Sequence, residues 1–256
     1  MIVLGIDTAT SLVSVAVADG RDVLAASESR SDRRHAEDLT PMVEFVVKRA
    51  KLTLAEIEAI AVNVGPGLFT GMRVGIATAQ ALAQVLGVRL VGIDGLTALA
   101  ASVPAAALGE CDVVVPTIDT RRREVAWSLH RVGDDGTTTS VAPPRVGSLA
   151  DLVLAVRERG QNCRLIGEFA RRNAEEIREA VGAQAWCVTF GDESLDFPHA
   201  RAITQLAIDK LLEDYSQDGS HDGSEGEGDA VEVATVAALY LRDADADIHW
   251  STRSSA

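Results

Sequence analysis

The stretch that decides the fold is Gly65-Pro66-Gly67-Leu68-Phe69-Thr70-Gly71-Met72-Arg73-Val74-Gly75, which joins a buried apolar run to an amphipathic one. Its first two glycines permit backbone angles that other residues resist, and the proline between them stiffens the turn. Thr70 is placed to cap the next helix, so the turn resembles an anion-accepting helix N-terminus. It is not a Walker A loop, because no Gly-Lys-Ser/Thr comes after it, and it is not a dinucleotide-binding fingerprint.

The apolar pattern predicts the same order of elements in both halves of the chain. Hairpin turns are predicted at residues 18–21 and 133–136. The first-half elements are strands at 2–7, 12–18 and 22–27, a helix at 35–51, a strand at 58–64, a helix at 70–86, a strand at 88–93 and a helix at 96–107. The second-half elements are strands at 112–118, 124–131 and 137–142, a helix at 148–159, a strand at 163–166, a helix at 170–181, a strand at 185–190 and a helix at 199–214.

This order, βββαβαβα twice, predicts a duplicated α/β fold. An antiparallel meander followed by crossover helices gives a mixed five-stranded sheet covered by helices. Two such units form the ribonuclease-H-like, actin-like (ASKHA) architecture. We therefore predict an N-terminal domain at 1–108, a C-terminal domain at 109–215, an acidic linker at 216–229 and a C-terminal segment at 230–256.

The charge of the chain argues against independent binding to nucleic acid. With 24 Lys and Arg against 38 Asp and Glu, the net charge of the 256 residues is −14. Proteins that neutralise phosphates on their own show a basic patch or stripe instead. Five of the carboxylates and no Lys or Arg lie in the linker 216–229, whose Gly/Ser-rich composition is typical of a disordered segment.

Composition also predicts the compartment. No apolar run approaches the roughly 20 residues that span a bilayer, so no contact with a membrane is expected. Residues 1–7 have the pattern of a core strand rather than of a signal peptide. The three cysteines are odd in number and widely spaced, which favours buried thiols in a reducing compartment. We predict a cytoplasmic protein.

The turn after the first strand of each half carries residues that suit a phosphate and a hydrated metal ion. Asp7-Thr8-Ala9-Thr10-Ser11 is the first of these turns, and Asp119-Thr120-Arg121 opens the second. The competing interpretation is structural, because acidic and hydroxyl side chains also form turns by bonding their own backbone. With the glycine turn added, the candidate nucleotide or phosphate residues are Asp7, Thr8, Ser11, Gly65, Gly67, Thr70, Asp119 and Arg121.

Two helices of the first half supply a candidate docking face for a partner. In the helix after the glycine turn, Gly71, Gly75, Ala79 and Ala83 recur every fourth residue, which lets a neighbouring helix approach closely. Packing on the protein's own sheet is the competing interpretation of this stripe. The predicted docking residues are Leu39, Val43, Val46, Met72, Gly75, Ile76, Ala79 and Ala83.

The histidines do not form a recognisable catalytic or metal-binding motif. No two of the five lie within one helical turn of each other, which leaves no HxxxH or HExxH ligand pair. No GxSxG nucleophile motif is present. We therefore predict no catalytic residue, no metal site and no cofactor that belongs to this chain alone.

Four stretches of the sequence carry a resemblance to a known family. They are the opening Ile6-Asp7-Thr8-Ala9-Thr10, the glycine turn, the stretch Ile118–Val125 and the closing Tyr240-Leu241-Arg242. Together they resemble the TsaB (YeaZ) family. The glycine turn is shared with the catalytic sister family, TsaD, whose members carry an HxxxH metal pair after the next strand. Here that stretch is Gly92-Ile93-Asp94-Gly95-Leu96-Thr97-Ala98-Leu99, without histidine.

The resemblance implies a non-catalytic subunit that docks to a TsaD-type enzyme through the first-domain helices. TsaD transfers a threonylcarbamoyl group to N6 of adenosine 37 in tRNAs that read codons beginning with A. A TsaE-type ATPase completes the complex, and tRNA is met only through it. A homodimer of the free chain and ATP or ADP at the partner interface are further candidates. The acidic linker and Ala126-Trp127, where the family has tyrosine after Glu-Val, are departures from the family pattern.

Two other function classes stay open on the sequence. An actin-fold small-molecule kinase would need a nucleotide cleft and phosphate loops in both halves, and only Asp7 and Asp119 are matching acids. A metallopeptidase-like protein would need the histidine pair that the sequence lacks.

Overall fold

The computed structural model describes residues 1–30, 34–121, 123–135, 137–218, 236–239 and 241. Of the predicted acidic linker, only its first three residues are described, and they continue the last helix. The predicted C-terminal segment is described only at 236–239 and 241, so its other residues lie outside the description.

The first half has the predicted order of elements, except that the predicted helix 96–107 is divided into two short helices, with Pro104 as the N-cap residue of the second. The predicted hairpin turn at 18–21 is confirmed, because Gly20 there has a left-handed φ of 54° between two paired strands. The elements of this half are β1 (Ile2–Asp7), β2 (Leu12–Asp19), β3 (Asp22–Arg30), α1 (His35–Arg49), β4 (Ala59–Asn63), α2 (Phe69–Leu86), β5 (Arg89–Ile93), α3 (Gly95–Ala101) and α4 (Ala105–Leu108).

These strands form one five-stranded sheet in the order β3-β2-β1-β4-β5. The β1–β2 and β2–β3 pairs are antiparallel, and the β1–β4 and β4–β5 pairs are parallel. Parallel neighbours need a crossover, and α1 and α2 provide the two crossovers. Both helices pack on one face of the sheet, over Leu4, Val15 and Ile60.

The second half repeats this path with an insertion. Its elements are β6 (Val113–Arg121), β7 (Glu124–Trp127), β8 (His130–Val132), β9 (Thr138–Ser140), β10 (Arg145–Gly147), α5 (Leu149–Arg159), β11 (Cys163–Ile166), α6 (Glu168–Arg172), α7 (Ala174–Val181), β12 (Val188–Phe190) and α8 (Ala200–Asp218). The path β10-β7-β6-β11-β12 has the same pairing directions as the first sheet. The duplicated actin-like α/β fold is confirmed.

The prediction of five strands in the second sheet was wrong, because that sheet has seven in the described part. The predicted strand 124–131 is interrupted after Trp127, and its second part, β8, pairs with the start of β6. The predicted third strand, 137–142, is β9, which pairs only with β8. The true third strand is β10, where Arg145 lies opposite Trp127.

The two halves exchange helices. The last helix, α8, packs on the first sheet, where Ile203, Ala207 and Leu211 join a core with Val3 and Ala61. The helix α3 does the reverse, since Leu96 and Leu99 pack against Val114, Ile118 and Ala126 of the second sheet. On either side of the predicted boundary between 1–108 and 109–215, each part of the chain therefore contributes a helix to an apolar core of the other part. Among the helices of the described chain, none is long and apolar enough to cross a membrane.

The position of α8 makes Gly5 in β1 a sensitive residue. A Cβ on Gly5 would lie 2.6 Å from Thr204 Cγ2 and 2.8 Å from the carbonyl oxygen of Ala200. We expect Gly5→Ala to lower the free energy of unfolding by about 1–3 kcal/mol through overpacking. Urea denaturation would measure it, and adding Thr204→Ser, which removes the closer of the two atoms, should restore part of the loss. An unchanged midpoint in Gly5→Ala would contradict this packing.

Candidate functional site

The β1–β2 turn and the glycine turn are packed directly against each other. The Leu68 N–H donates to the carbonyl oxygen of Ala9 at 2.6 Å, and Thr8 Oγ1 donates to the carbonyl oxygen of Gly71 at 2.7 Å. His35 Nε2 lies 2.8 Å from the carbonyl oxygen of Thr10 and ties α1 to the same turn. The Leu68 N–H, at the start of α2, is thus used inside the protein.

Three glycines make this contact sterically feasible. A Cβ on Gly67 would lie 2.1 Å from the carbonyl oxygen of Ala9. A Cβ on Gly71 would lie 2.1 Å from the carbonyl oxygen of Thr8, and a Cβ on Gly75 would lie 2.4 Å from Thr8 Oγ1. Since Cβ atoms do not approach oxygen this closely, any larger residue would push α2 away from the turn. The small-residue stripe therefore serves close packing of α2 within the subunit.

Asp7 is a buried carboxylate with an incomplete set of hydrogen bonds. Its Oδ1 accepts from the Ala9 N–H at 2.8 Å, whereas its Oδ2 has no partner among the described residues. Burial raises the pKa of the Asp7 carboxyl to about 6. This rise in pKa is only partly opposed by the Ala9 N–H, the neighbouring Asn63 amide and the charge of His199. Asn63 Nδ2 is itself without a hydrogen-bond partner in the same described set.

The two predicted phosphate turns meet across a narrow cleft. Ser11, Asp119 and Arg121 line one cavity with a volume of about 20 Å³. This is close to the space that one water needs and far below the roughly 300–1,000 Å³ of small-molecule sites. The described residues therefore form no pocket of nucleotide size in this cleft, and the fit to ATP or ADP is poor.

An ion-pair network lies beside this cleft. Arg30 of β3 and Arg172 of α6 both reach Oε1 of Glu168, at 3.0 and 2.7 Å. The Arg30 guanidinium also lies over the ring of Phe197, 5.0 Å from its centroid. Glu168 and Phe197 line the cavity as well, so these contacts join the two halves at the cleft.

The remaining candidate phosphate residues lie elsewhere. Thr8 is buried beneath Gly75, and the Gly65 carbonyl oxygen accepts from the Gly95 N–H at 2.8 Å, away from the cleft. Thr70 is exposed and does not cap α2, because this helix begins at Phe69 with Leu68 as the N-cap residue. The predicted set is thus divided among the cleft, the buried turn and the outer surface. Among the described residues, no group of three or more His, Cys, Asp or Glu could hold a metal ion.

The structure places all eight predicted docking residues inside the subunit. Each is buried. Six of them belong to the core under the first sheet, Gly75 lies against Thr8 of the β1–β2 turn, and the Met72 sulfur lies against Gly65. The residues in question are Leu39, Val43, Val46, Met72, Gly75, Ile76, Ala79 and Ala83. The physical reason is that the first sheet needs one apolar face of each crossover helix, and these residues provide it. The exposed sides of the two helices are the opposite ones.

The outer side of α2 is unusual for a solvent-exposed helix. Arg73 is the only charged residue of its 18, and the exposed positions include Ala77, Ala81 and Gln84. Val85 is 83% exposed and Phe69 is 54% exposed. Surface helices normally place charged side chains on this side. The signal was present in the sequence, because only one of the residues 69–86, Arg73, is charged.

A groove separates α1 from α2 on this outer surface. Its volume is about 510 Å³, and its lining is mainly apolar. The lining residues are Thr40, Val43, Glu44, Val47, Lys48, Leu52, Leu54, Thr78 and Leu82. We call the outer side of α2 together with this groove the α1–α2 face.

Comparisons with known proteins agree with the observed fold. The family model of TsaD, tRNA N6-adenosine threonylcarbamoyltransferase, matches residues 25–250. The tRNA threonylcarbamoyladenosine biosynthesis protein TsaB of Escherichia coli K12 is 32% identical over 191 residues, 73% of this chain and 74% of that protein. The chain belongs to the TsaB family. The structure of YeaZ from Pseudomonas aeruginosa superimposes with a TM-score of 0.64 at 25% identity, over 83% of this chain and 92% of that one.

A mycobacterial relative matches over a shorter region. An uncharacterized protein of Mycobacterium leprae is 38% identical over 155 residues, which are 59% of this chain but only 40% of the relative. This TsaB-family chain thus spans less than half of the length of that protein.

Asp7 should give the stability of the protein a measurable pH dependence. Its carboxyl is protonated in both states below pH 4, but between about pH 4 and 6 only the folded state keeps the proton. Because the folded state binds the extra proton in this window, the free energy of unfolding falls as the pH rises from about 4 towards 6 and levels off above that. Between about pH 4.5 and 7.5 we expect Asp7 to contribute a loss of about 2 kcal/mol, which Asp7→Asn removes. Urea denaturation of both proteins at the two pH values measures it, and parallel profiles would contradict it.

Proposed function

We propose that this protein is a non-catalytic subunit of the machinery that forms threonylcarbamoyladenosine at position 37 of tRNAs reading codons that begin with A. Membership of the TsaB family supports the pathway, since the E. coli relative is named as a biosynthesis protein for this modified nucleoside. In the complex, a TsaD-type partner performs the transfer, and this chain docks to it.

The observation that carries the proposal is the α1–α2 face. The helix α2 has one charged residue among its 18 and lies beside a mainly apolar groove of about 510 Å³. Exposure of such a surface to water costs free energy. A TsaD-type subunit has the same fold and therefore a related pair of crossover helices to place against it. Packing of two such pairs would bury Val85, Phe69 and the groove, as the core of a stable interface does.

The stretch that replaces the histidine pair of TsaD supports a non-catalytic role. Residues 92–99 form the end of β5 and the start of α3. Leu96 and Leu99 are fully buried in the core that α3 makes with the second sheet. Asp94 caps α3 by accepting from the Leu96 N–H at 3.0 Å. These side chains have structural roles, and the ones that face the second sheet are apolar.

The proposal extends to the other components of the complex. A TsaE-type ATPase and tRNA are reached through the complex, in keeping with the net charge of −14. A homodimer of the free chain would use the same α1–α2 face and would compete with the TsaD-type partner. A nucleotide at the partner interface would need residues from the partner, because the cleft of this chain measures about 20 Å³. The protein would work with these components in the cytoplasm.

The function is tested by depletion in the native cell. We expect threonylcarbamoyladenosine, measured by mass spectrometry of digested tRNA, to fall as the protein is depleted. Re-expression of the chain should restore it. A second modified nucleoside from an unrelated pathway is the internal control. An unchanged level after complete depletion would refute the proposed function.

The docking surface is tested with Ala81→Glu. Ala81 is exposed, so the stability of the subunit should change by less than about 0.5 kcal/mol. In the complex the new carboxylate would be buried without a partner, and we expect affinity for the TsaD-type subunit to fall on the order of a hundredfold. Calorimetric titration measures it.

Leu212→Glu is the matched control. Leu212 is 54% exposed on α8, which packs on the opposite face of the first sheet from α1 and α2. This variant should bind the partner with the affinity of the natural chain. Equal binding by both variants would place the docking surface elsewhere.

A further inference from the structure

After α8, a short segment of the chain lies beside α2. Its described residues here are Val236–Leu239 and Leu241, which we call the strap. The Leu239 N–H donates to the carbonyl oxygen of Val64 at 2.7 Å, immediately after β4. Gln80 of α2 donates through Nε2 to the carbonyl oxygen of Val236 at 3.0 Å. The strap is thus hydrogen-bonded both to the sheet and to the helix.

The strap fills a position that no described helix occupies. On this side of the first sheet, α1 contacts β2 and β3, whereas α2 lies mainly over β4. These two helices leave the edge strand β5 largely uncovered. Val236 and Ala238 pack beside this strand, against the same apolar core. Gly92 of β5 makes room for them, since a Cβ there would lie 2.9 Å from Val236 Cγ1. The strap completes the layer that α1 and α2 begin.

The strap also reaches the second half. Leu241 packs against the core that contains Leu96 of α3 and Ala126 of β7. It lines a cavity with Trp127 and Arg145 as well. Over this short distance in sequence, the chain therefore runs from the flank of α2 to the second sheet.

We infer that the strap is a positioning element for partner docking, which holds the flank of α2 so that the α1–α2 face keeps its shape. This inference rests on the proposed function. Gln80 lies on α2 about one turn from the exposed Ala77, Gln84 and Val85, and its amide is fixed by the strap. Release of the strap removes this hydrogen bond and uncovers Val64 and Gly92. It leaves α2 held by the first sheet, by the β1–β2 turn and by α1.

The test uses Val236→Asp in the full chain, because a carboxylate cannot stay in the apolar contact with Gly92 and Val64. We expect affinity for the TsaD-type subunit to fall at least about tenfold. Hydrogen exchange should become faster in α2 and at 236–239 but stay unchanged in α5 and α7. Affinity within about twofold of the natural chain, or faster exchange in all elements alike, would overturn the inference.

A pair of shortened chains provides the second variant and its control. A chain that ends at residue 235 lacks the strap, whereas one that ends at residue 241 keeps it and lacks only residues 242–256. The first should bind the partner at least about tenfold more weakly than the second. Equal affinities would overturn the inference. If the natural chain itself fails to bind the partner, the proposed docking is refuted instead, and exchange in α2 alone then decides whether the strap holds this helix.

Discussion

The contact on which the rest of the structure depends is the seating of α2 on the β1–β2 turn. Three glycines bring the helix so close that its backbone touches Thr8 and Ala9. Two hydrogen bonds, from Leu68 N–H and from Thr8 Oγ1, fix the rotation of the helix about its axis. Once this rotation is set, Gly75, Ala79 and Ala83 must face inward, and Ala77, Ala81 and Val85 must face outward. The surface offered to a partner is therefore determined by an internal contact.

The same contact explains why a chain with nucleotide-like turns has so small a cleft between them. In an anion site, the amides at a helix N-terminus stay free for the ligand. Here the Leu68 N–H is bonded to Ala9, and Asp7 lies under the turn with one oxygen unpaired among the described residues. The residue types of the site are kept, but their polar groups serve packing.

The sequence was sufficient for the elements and for the repeat, because apolar periods and glycine turns are local signals. It was not sufficient for the side of α2 that meets a partner, since a stripe of glycine and alanine suits close approach of a second subunit and of the chain's own β1–β2 turn equally well. The turn at Thr8 is 63 residues from Gly71, and no local pattern reports that they touch. The strand β10 and the break between β7 and β8 were missed for a similar reason. Their positions depend on pairing with distant residues, since β10 pairs with β7 and β8 pairs with Val113 and Val114 of β6.

The exchange of helices gives the docking surface its support. Because α8 covers the first sheet and α3 covers the second, neither half can move without breaking an apolar core of the other. In a fold whose halves often close on a ligand, such a motion would need these cores to open. Here the cleft is narrow, and Arg30 and Arg172 share Glu168 beside it. The strap adds a further link on the opposite side of the first sheet from α8. In the docking that we propose, a rigid helix face favours affinity, because a face that had to become ordered on binding would lower it. The interlocked halves therefore support the proposed docking surface by keeping α2 in one position.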